Sequence, residues 1–216
     1  MKKILYILIP VLTFSSCESY QEQKEPETQK IYSKRFEELK NEENFRIINI
    51  DSCQNFQELT SKMGEFTCNG IMAGLSFTID DKEYFLTGSS ECPTSNIVVC
   101  YFSRNIIMIK NDSIVTDLFN QEKIPIEDLK IELNNIISKP YNFKYNEQVL
   151  KPALVHLYID KNQNINKTKK VLKEIVHNFE KIYSNQKNNF FEYNVLFEHF
   201  DITNLPPPPP PPSLPK

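Results

Sequence analysis

Residues 153–183 of the 216-residue chain read ALVHLYIDKNQNINKTKKVLKEIVHNFEKIY, and this stretch decides the fold. Ala153 to Ile159 form a nearly continuous apolar run, which is typical of a central strand covered on both faces. A helix start follows at Asn164 to Thr168, and apolar residues then recur at helical spacing among lysines and glutamates. These apolar positions are Val171, Leu172, Ile175, Val176, Phe179, Ile182 and Tyr183.

The residues on either side extend the pattern of strands and helices. Phe191 to Phe197 alternate between apolar and polar residues, which predicts a strand with one wet face. Pro125 opens a predicted helix that Lys139-Pro140 ends. Before it lie predicted strands at Ile97–Phe102, Ile106–Ile109 and Ile114–Val115. This order predicts an α+β fold, a mixed β-sheet with two main helices packed on one face.

The N-terminal half of the domain is predicted to be rich in β-hairpins. The segment from Phe45 to Ile50 is rich in β-branched and aromatic residues, which predicts a strand. A short helix is predicted after Ser52. Ile71–Ile79 and Lys82–Thr87 predict a hairpin joined at Asp80-Asp81. We therefore expect one globular domain over residues 43–204.

The first seventeen residues indicate where the protein is located. Lys2 and Lys3 precede an apolar stretch, Ile4 to Phe14, that is too short to span a bilayer about 30 Å thick and fits the h-region of a signal peptide. Phe14-Ser15-Ser16-Cys17 resembles the lipobox of bacterial lipoproteins. The resemblance implies that residues 1–16 are removed and that Cys17 receives a thioether-linked diacylglycerol and a further acyl chain. The alternative is an ordinary secretory signal with a chance cysteine.

Residues 17–42 are predicted to be a lipidated N-terminus and a flexible tether. Residues 18–30 are mostly Gln, Glu and Lys, a composition that cannot bury enough apolar surface to order the chain. Their acidic bias resembles sorting signals for the outer face of the outer membrane, although a solvated spacer explains it equally well. We expect a lipid-anchored protein of the outer membrane of a Gram-negative bacterium, facing the periplasm or the cell surface. Its formal net charge of −3 argues against nucleic acid as the main partner.

Four cysteines remain once Cys17 carries lipid, and their even number in an exported chain predicts two disulfides. Cys92 and Cys100 flank a turn-rich run, so the favoured pairing is Cys92–Cys100 with Cys53–Cys68. The other two connectivities stay open, as does the possibility of buried free thiols. A zinc site is less favoured because the chain has no Cys-x-x-Cys.

The C-terminal tail, residues 205–216, is dominated by proline. Seven consecutive prolines are expected to form an extended polyproline II rod of roughly 20 Å, because proline lacks an amide donor and its φ angle is fixed. Aromatic-lined grooves bind such rods, and a stiff spacer is the alternative. The candidate partner-binding residues are Pro206, Pro207, Pro208, Pro209, Pro210, Pro211 and Pro212.

The C-terminal half, roughly residues 97–198, carries a further resemblance. Short strands around Ile106–Val115 precede an Ile-Glu-Asp-Leu helix start at Ile126–Leu129, an apolar strand ending in Asp160 and a helix from Thr168 to Tyr183. In this order the segment resembles the periplasmic domain of the biopolymer-transport ExbD/TolR family. The resemblance implies a partner-binding domain related to energy transduction. A lipoprotein signal replaces the proton-handling transmembrane helix of that family, so no catalytic residue is carried over.

The three histidines stand in no recognisable catalytic or metal-binding motif. His156 lies within the apolar strand and is predicted to be a satisfied core histidine, whereas His177 is predicted to be exposed. His199 lies near Glu198 and Asp201, which would be a weak pair for acid–base or metal chemistry and is more simply explained as a solvated strand end. Gly-x-Ser-x-Gly and His-Glu-x-x-His are both absent from the sequence. We predict no metal, no cofactor and no enzymatic activity.

These features predict a lipid-anchored, non-catalytic binding or accessory module with an envelope protein as partner, linked to a transport or energy-transduction complex. The alternatives are an envelope hydrolase with an unrecognised site and a structural lipoprotein of one bacterial lineage. An enzyme should show a deep cleft with converging polar groups. A binding module should instead show a shallow groove or an exposed sheet edge.

Overall fold

A computed structural model describes residues 28–95, 106–118, 120–138, 153–185, 193–201 and 203–204. These ranges contain a mixed sheet of nine strands and four α-helices, so the predicted α+β class is confirmed. The strands are β1 Gln29–Tyr32, β2 Phe45–Asn49, β3 Met72–Ile79, β4 Lys82–Ser90, β5 Ile106–Lys110, β6 Ser113–Asp117, β7 Glu122–Pro125, β8 Ala153–Tyr158 and β9 Tyr193–Phe197. The helices are α1 Lys34–Leu39, α2 Phe56–Cys68, α3 Leu129–Ser138 and α4 Ile165–Asn185.

The strand order joins the two halves of the chain through its last strand. The order is β2-β3-β4-β9-β8-β5-β6-β7, and β1 pairs with β4 outside this path. β9 lies between β4 and β8 and is parallel to both, and β5 is parallel to β8. The central strands β4, β9, β8 and β5 therefore all end at the same edge of the sheet.

Two tight turns set the register of the antiparallel pairs. Ile79 lies opposite Lys82, so Asp80 and Asp81 form the predicted two-residue loop of the β3–β4 hairpin. Both have positive φ, 51° and 57°, as a type I′ turn requires. Lys173 of α4 donates a 2.6 Å hydrogen bond to the Asp80 carboxylate, which ties the hairpin to the helix. At the second turn, Lys110 lies opposite Ser113, and Asn111 has a positive φ of 56°.

The β8–α4–β9 unit follows the predicted pattern. Val155 and Leu157 of β8 are fully buried on one side, and His156 between them is half-buried on the other. The side chain of Asn164 accepts a hydrogen bond from the Asn166 backbone N–H at the start of α4. The buried stripe of α4 packs into the main core through Val171, Leu172, Ile175, Val176, Phe179 and Ile182.

Three helices cover one face of the sheet. Buried residues of α2, α3 and α4 join those of β3, β8 and β9 in a single core cluster. The helix predicted after Ser52 is α2, which spans thirteen residues and buries Phe56, Leu59 and Met63. Gly88 of β4 permits this packing, because a Cβ there would lie 2.8 Å from Met63 Cε and from Phe197 Cε2.

A small aromatic core lies apart from the main one, around Phe36, Phe45 and Phe85. It is built by β1 and α1, which pack against β4. Ser33 caps α1 by accepting from the Phe36 N–H, and its own N–H donates to the Phe85 carbonyl at 2.7 Å. The domain therefore contains residues 29–40, which lie N-terminal to the predicted boundary at residue 43 and inside the predicted tether. Four-residue β1 carries too short an apolar pattern to be recognised as a strand.

Candidate functional site

The carboxyl ends of the parallel strands bring together the polar residues that a catalytic site would need. We call this region the carboxyl end of β9; it comprises Ser90, Glu91, Glu198, His199 and Asp201. In open parallel sheets, ligands commonly bind at this edge, because loops diverge there at a switch in strand order. The region is therefore the first place to look for chemistry.

Ser90 and His199 form the hydroxyl–imidazole contact of this region, with 2.9 Å between Oγ and Nε2. Ser90 Oγ is also 2.8 Å from the Phe197 carbonyl oxygen, and His199 Nε2 is 3.2 Å from the Glu91 carbonyl oxygen. A carbonyl oxygen only accepts, so Ser90 donates its proton to Phe197 and Nε2 donates its proton towards Glu91 and Ser90. In this arrangement His199 holds no free lone pair on Nε2 with which to activate Ser90.

His156 pairs with Glu198 and not with its neighbours in sequence. The distance from His156 Nδ1 to Glu198 Oε1 is 2.5 Å, and Glu198 is 5% exposed. The Glu198 backbone N–H donates to the Leu157 carbonyl, which fixes the end of β9 beside β8. The structure thus gives His156 a partner at Nδ1, and the predicted exposure of His177 is confirmed.

Lys110 and Asp201 form a second half-buried pair. Lys110 Nζ donates to Asp201 Oδ2 at 2.5 Å and to the Thr203 hydroxyl at 3.1 Å. Thr203 in turn donates to Asp201 through its backbone N–H and its hydroxyl. Burial by itself would raise the pKa of Asp201, but the hydrogen bonds from Lys110 and Thr203 outweigh it, so the pKa is lowered. Asp201 is thus paired with Lys110, which the structure brings near because β5 and β9 both lie beside β8 and are parallel to it.

Helix α2 and a disulfide close over the carboxyl end of β9. A Cβ at Gly64 of α2 would lie 3.1 Å from Pro93 Cδ and 3.2 Å from the Glu91 carbonyl oxygen, so the helix approaches this loop closely. Cys68 at the end of α2 is bonded to Cys92, with 4.9 Å between the Cα atoms. Ser90 beneath them is 1% exposed. Ser90 is therefore closed off from solvent.

The observed disulfide corrects the predicted pairing. The favoured bridges Cys53–Cys68 and Cys92–Cys100 are wrong, because Cys68 pairs with Cys92 across 24 residues. α2 runs back over β4 and brings its last residue to the loop after β4, which local spacing does not reveal. Cys53 is a buried free thiol whose pKa is raised by burial, with Lys62 3.6 Å from its sulfur opposing that shift.

A large open volume lies at the other end of β9. A cavity of about 610 Å³ separates β1 and α1 from the C-terminal half of α4, and we call it the amino-end cavity. Most of its lining surface is apolar. Its lining residues are Tyr32, Ser33, Lys34, Arg35, His177, Phe179, Glu180, Lys181, Ser184 and Tyr193.

Two lining groups have pKa values shifted by burial. Burial raises the pKa of Tyr193 far above its ordinary value, and the negative charge of Glu180 adds to the shift while the Ser33 hydroxyl opposes it. Burial also raises the pKa of Glu180, against the opposing charge of Lys82. Both shifts indicate an environment that disfavours negative charge on the protein's own side chains. The lining cations Lys34, Arg35 and Lys181 surround the same space.

Some backbone groups at the sheet edges are used within the chain. On β2, the Arg46 guanidinium donates to the carbonyls of Glu43 and Phe45 at 2.8 and 2.7 Å. The Ser52 hydroxyl donates to the Asn49 carbonyl at 2.7 Å. At the opposite edge, β7 ends at Pro125, which lacks an N–H to donate. These contacts leave the middle of β2, with Ile47 exposed, at an open edge of the sheet.

Several predicted sites fall outside the described residues. These are the lipid-attachment residue Cys17, the disulfide candidate Cys100, the strand Ile97–Phe102 and the tail prolines Pro206–Pro212. Within the described ranges, no three His, Cys, Asp or Glu side chains are grouped closely enough to hold a metal ion. None of the helices in those ranges is long and apolar enough to cross a membrane.

The sequence interpretation missed the amino-end cavity because half of its wall was assigned to the tether. One signal was available, since Ser33 precedes Lys34-Arg35-Phe36-Glu37 as a helix N-cap residue should. The other wall, Phe179 and Tyr193, was predicted as helix stripe and strand, but their common cavity requires β9 to lie beside α4.

Comparison of the chain with protein-family models, curated proteins and solved structures finds no match, so the resemblance to the ExbD/TolR family stays a prediction.

Proposed function

We propose that the protein is a lipid-anchored, non-catalytic binding module of the bacterial cell envelope, and that the amino-end cavity is its binding site. The observation that carries this proposal is the cavity itself, about 610 Å³ in size and lined by aromatic rings and three cationic side chains. Ligand-binding cavities in proteins generally fall between about 300 and 1,000 Å³ and combine an apolar lining with a few polar groups.

The polar residues elsewhere support a non-catalytic role. Ser90 and His199 direct their protons to backbone carbonyls, and Ser90 is buried beneath α2. Glu198 bonds His156, and Asp201 bonds Lys110. These groups are used to hold strand ends together, which leaves the described part of the carboxyl end of β9 without an accessible nucleophile next to a free base.

The position of the cavity fits a tethered protein. Cys17 and Thr28 are eleven residues apart, so the intervening chain spans at most roughly 40 Å. β1 and α1 follow directly and form one wall of the cavity. A lipid on Cys17 would hold this wall within about one domain diameter of the bilayer. The polyproline tail would provide a separate contact, and the ExbD/TolR resemblance suggests a transport or energy-transduction complex as the setting.

Site-specific photo-crosslinking in intact envelopes tests this function. A photoreactive residue at His177, an exposed lining position on α4, should form one discrete adduct. The control places the same residue at Lys130, an exposed position of α3 away from the cavity, and should not form that adduct. The Cys17→Ser variant should leave the membrane fraction and lose the adduct. Absence of any adduct at His177, or identical adducts at both positions, contradicts the assignment of the cavity.

A further inference from the structure

We propose that a groove on the sheet face opposite the main core binds a neutral secondary amide that carries an aliphatic group. We call it the β4 groove, and its volume is about 380 Å³. It is separate from the amino-end cavity: Tyr193 lines the cavity, whereas Asn194, the next residue of β9, lines the groove from the other face of the sheet. The inference therefore goes beyond the proposed function.

A buried hydroxyl without a partner lines the groove. Thr87 is 4% exposed and lies on the same face of β4 as Phe85 of the small aromatic core. Among the described residues, Thr87 Oγ1 has no hydrogen-bond partner. Buried polar atoms are nearly always hydrogen-bonded, because a donor without a partner has lost its bonds to water. The Thr87 hydroxyl therefore has a proton and lone pairs that a molecule in the groove can use.

Two further polar side chains of the groove lie beside this hydroxyl. Gly88 of β4 is opposite Val195 of β9, so Thr87 and Asn194, one residue earlier on each strand, are neighbours about 4.8 Å apart in backbone spacing. Asn194 Nδ2 donates to Ser89 Oγ at 3.0 Å. Ser89 accepts in this bond, which leaves its own proton to donate, and Asn194 Oδ1 remains an acceptor. A secondary amide matches this set, because its carbonyl accepts from a hydroxyl and its N–H donates to Asn194 Oδ1.

The polar groups of the groove favour a neutral ligand. Thr87, Ser89 and Asn194 are uncharged, and no carboxylate occurs among the described lining residues. Arg35 also lines the groove, but it already has an interaction partner of its own. An ion that entered the groove would lose its hydration without gaining an opposite charge. An amide loses less hydration and regains hydrogen bonds.

The apolar part of the lining favours an aliphatic group on the ligand. Leu39 and Met72 are partly buried and pack against the small aromatic core, and Phe45 of that core lines the groove with them. A polyhydroxylated ligand would bury hydroxyls against these side chains without partners. An aliphatic group is favoured by the same contact, because it removes apolar surface from water.

An NMR titration of the isotope-labelled full chain carrying Cys17→Ser tests the ligand class. With N-isobutylacetamide as the probe, we expect saturable shifts of the Asn194 side-chain amide signals and one site per chain. Isobutyl acetate has the same shape but lacks the N–H, so it should bind about fivefold more weakly. N-acetylglucosamine carries the same acetamido group on a polyhydroxylated ring and should also bind more weakly. Absence of saturable shifts with the probe, or tighter binding of the ester or the sugar, overturns the ligand class.

Thr87→Val tests the hydroxyl, since valine has nearly the same shape without it. The variant should weaken binding of N-isobutylacetamide about fivefold. It should also raise the midpoint of thermal unfolding by roughly 2 °C, because an unpartnered buried hydroxyl is removed. Thr168→Val is the matched control: Thr168 is also buried, and its Oγ1 likewise has no partner among the described residues, but it does not line the groove. This control should leave the affinity unchanged.

Thr60→Val shows the effect of losing a hydroxyl that the fold uses. Thr60 is buried and donates its hydroxyl to the Gln57 carbonyl at 3.0 Å, so its replacement should lower the unfolding midpoint. If Thr87→Val lowers the midpoint as well, the Thr87 hydroxyl serves the fold and the proposal is wrong. Unchanged affinity in the Thr87→Val chain would place the amide elsewhere and overturn the groove as its site.

The groove and the amino-end cavity fail independently of each other. The photo-crosslinked adduct at His177 reports on the cavity and should still form in the Thr87→Val chain, because Thr87 does not line the cavity. If N-isobutylacetamide does not bind while the adduct forms, the groove inference is wrong and the proposed function is unaffected. If the amide binds and no adduct forms, the proposed function is wrong and the groove inference is supported.

Discussion

The two ends of strand β9 contain similar residue types and yet differ in packing. At its carboxyl end, a serine, two histidines and two carboxylates bond one another and nearby carbonyls beneath α2 and the Cys68–Cys92 bridge. At its amino end, Tyr193 lines a cavity of about 610 Å³ with cations around it. Residue type alone would place the chemistry at the carboxyl end. The comparison shows that a ligand site requires two things: polar groups that can make further hydrogen bonds, and open space beside them.

Removing the disulfide should have the largest effect and should act at the carboxyl end alone. The Cys68→Ser/Cys92→Ser double variant should lower the free energy of unfolding by about 3 kcal/mol, since the bridge closes a loop across 24 residues. Urea unfolding measures this, and the unmodified chain in reducing agent should behave like the variant. The crosslinked adduct at His177 should still form with the double variant, because the cavity lies at the other end of β9. Loss of that adduct would show that the two ends are coupled and would contradict the comparison.

Replacing Ser90 should have a smaller effect, which tests whether its hydroxyl is structural. Ser90→Ala leaves the Phe197 carbonyl without its donor inside the fold, so the free energy of unfolding should fall by about 1–2 kcal/mol. Ser184→Ala at the amino end should cost close to nothing, because that hydroxyl is exposed and bonds its own helix. Equal effects of the two variants in thermal unfolding would contradict the contrast between a saturated end and an open end.

The pH dependence of stability should differ in sign between the two ends, and this is the smallest effect. The pKa of Asp201 is lower in the folded chain than in the unfolded chain, where it is about 3.9. Ionised Asp201 therefore stabilises the fold above that pH, and this stabilisation is lost as pH falls through the folded pKa. The raised pKa of Glu180 has the opposite effect. The stability of the fold decreases as pH rises from the pKa of Glu180 in the unfolded chain towards its pKa in the folded chain.

Unfolding measured between pH 3 and 7 distinguishes the two carboxyl groups. Asp201→Asn should reduce the loss of stability on acidification by less than about 1 kcal/mol, because the side chain is partly exposed. Glu180→Gln should slightly increase the loss of unfolding free energy on acidification. Slopes of the same sign for the two variants would contradict the electrostatic distinction between the ends of β9.

Much of the fold could be predicted because its signals are local. The stripe from Val171 to Ile182 repeats at helical spacing, and Asp80-Asp81 is a short turn between two apolar strands, so α4 and the β3–β4 hairpin follow from neighbouring residues. β1 and β7 were not predicted, since a four-residue strand has too few positions for its alternation to be recognised. The candidate cavity could not be predicted, because its two walls lie more than a hundred residues apart in the chain.

The sequence by itself determined the features that depend on composition and short-range periodicity. These are the α+β class, the amphipathic helix α4, the apolar strand β8, and the prediction of a lipidated, tethered and proline-tailed envelope protein. Only the tertiary structure decided which cysteines pair, which carboxylate reaches which histidine, and where space is left open. The physical reason is that β9, the last strand, inserts between β4 and β8 and so sets the neighbours of Ser90, His156 and Tyr193 at once. No stretch of neighbouring residues predicts that insertion.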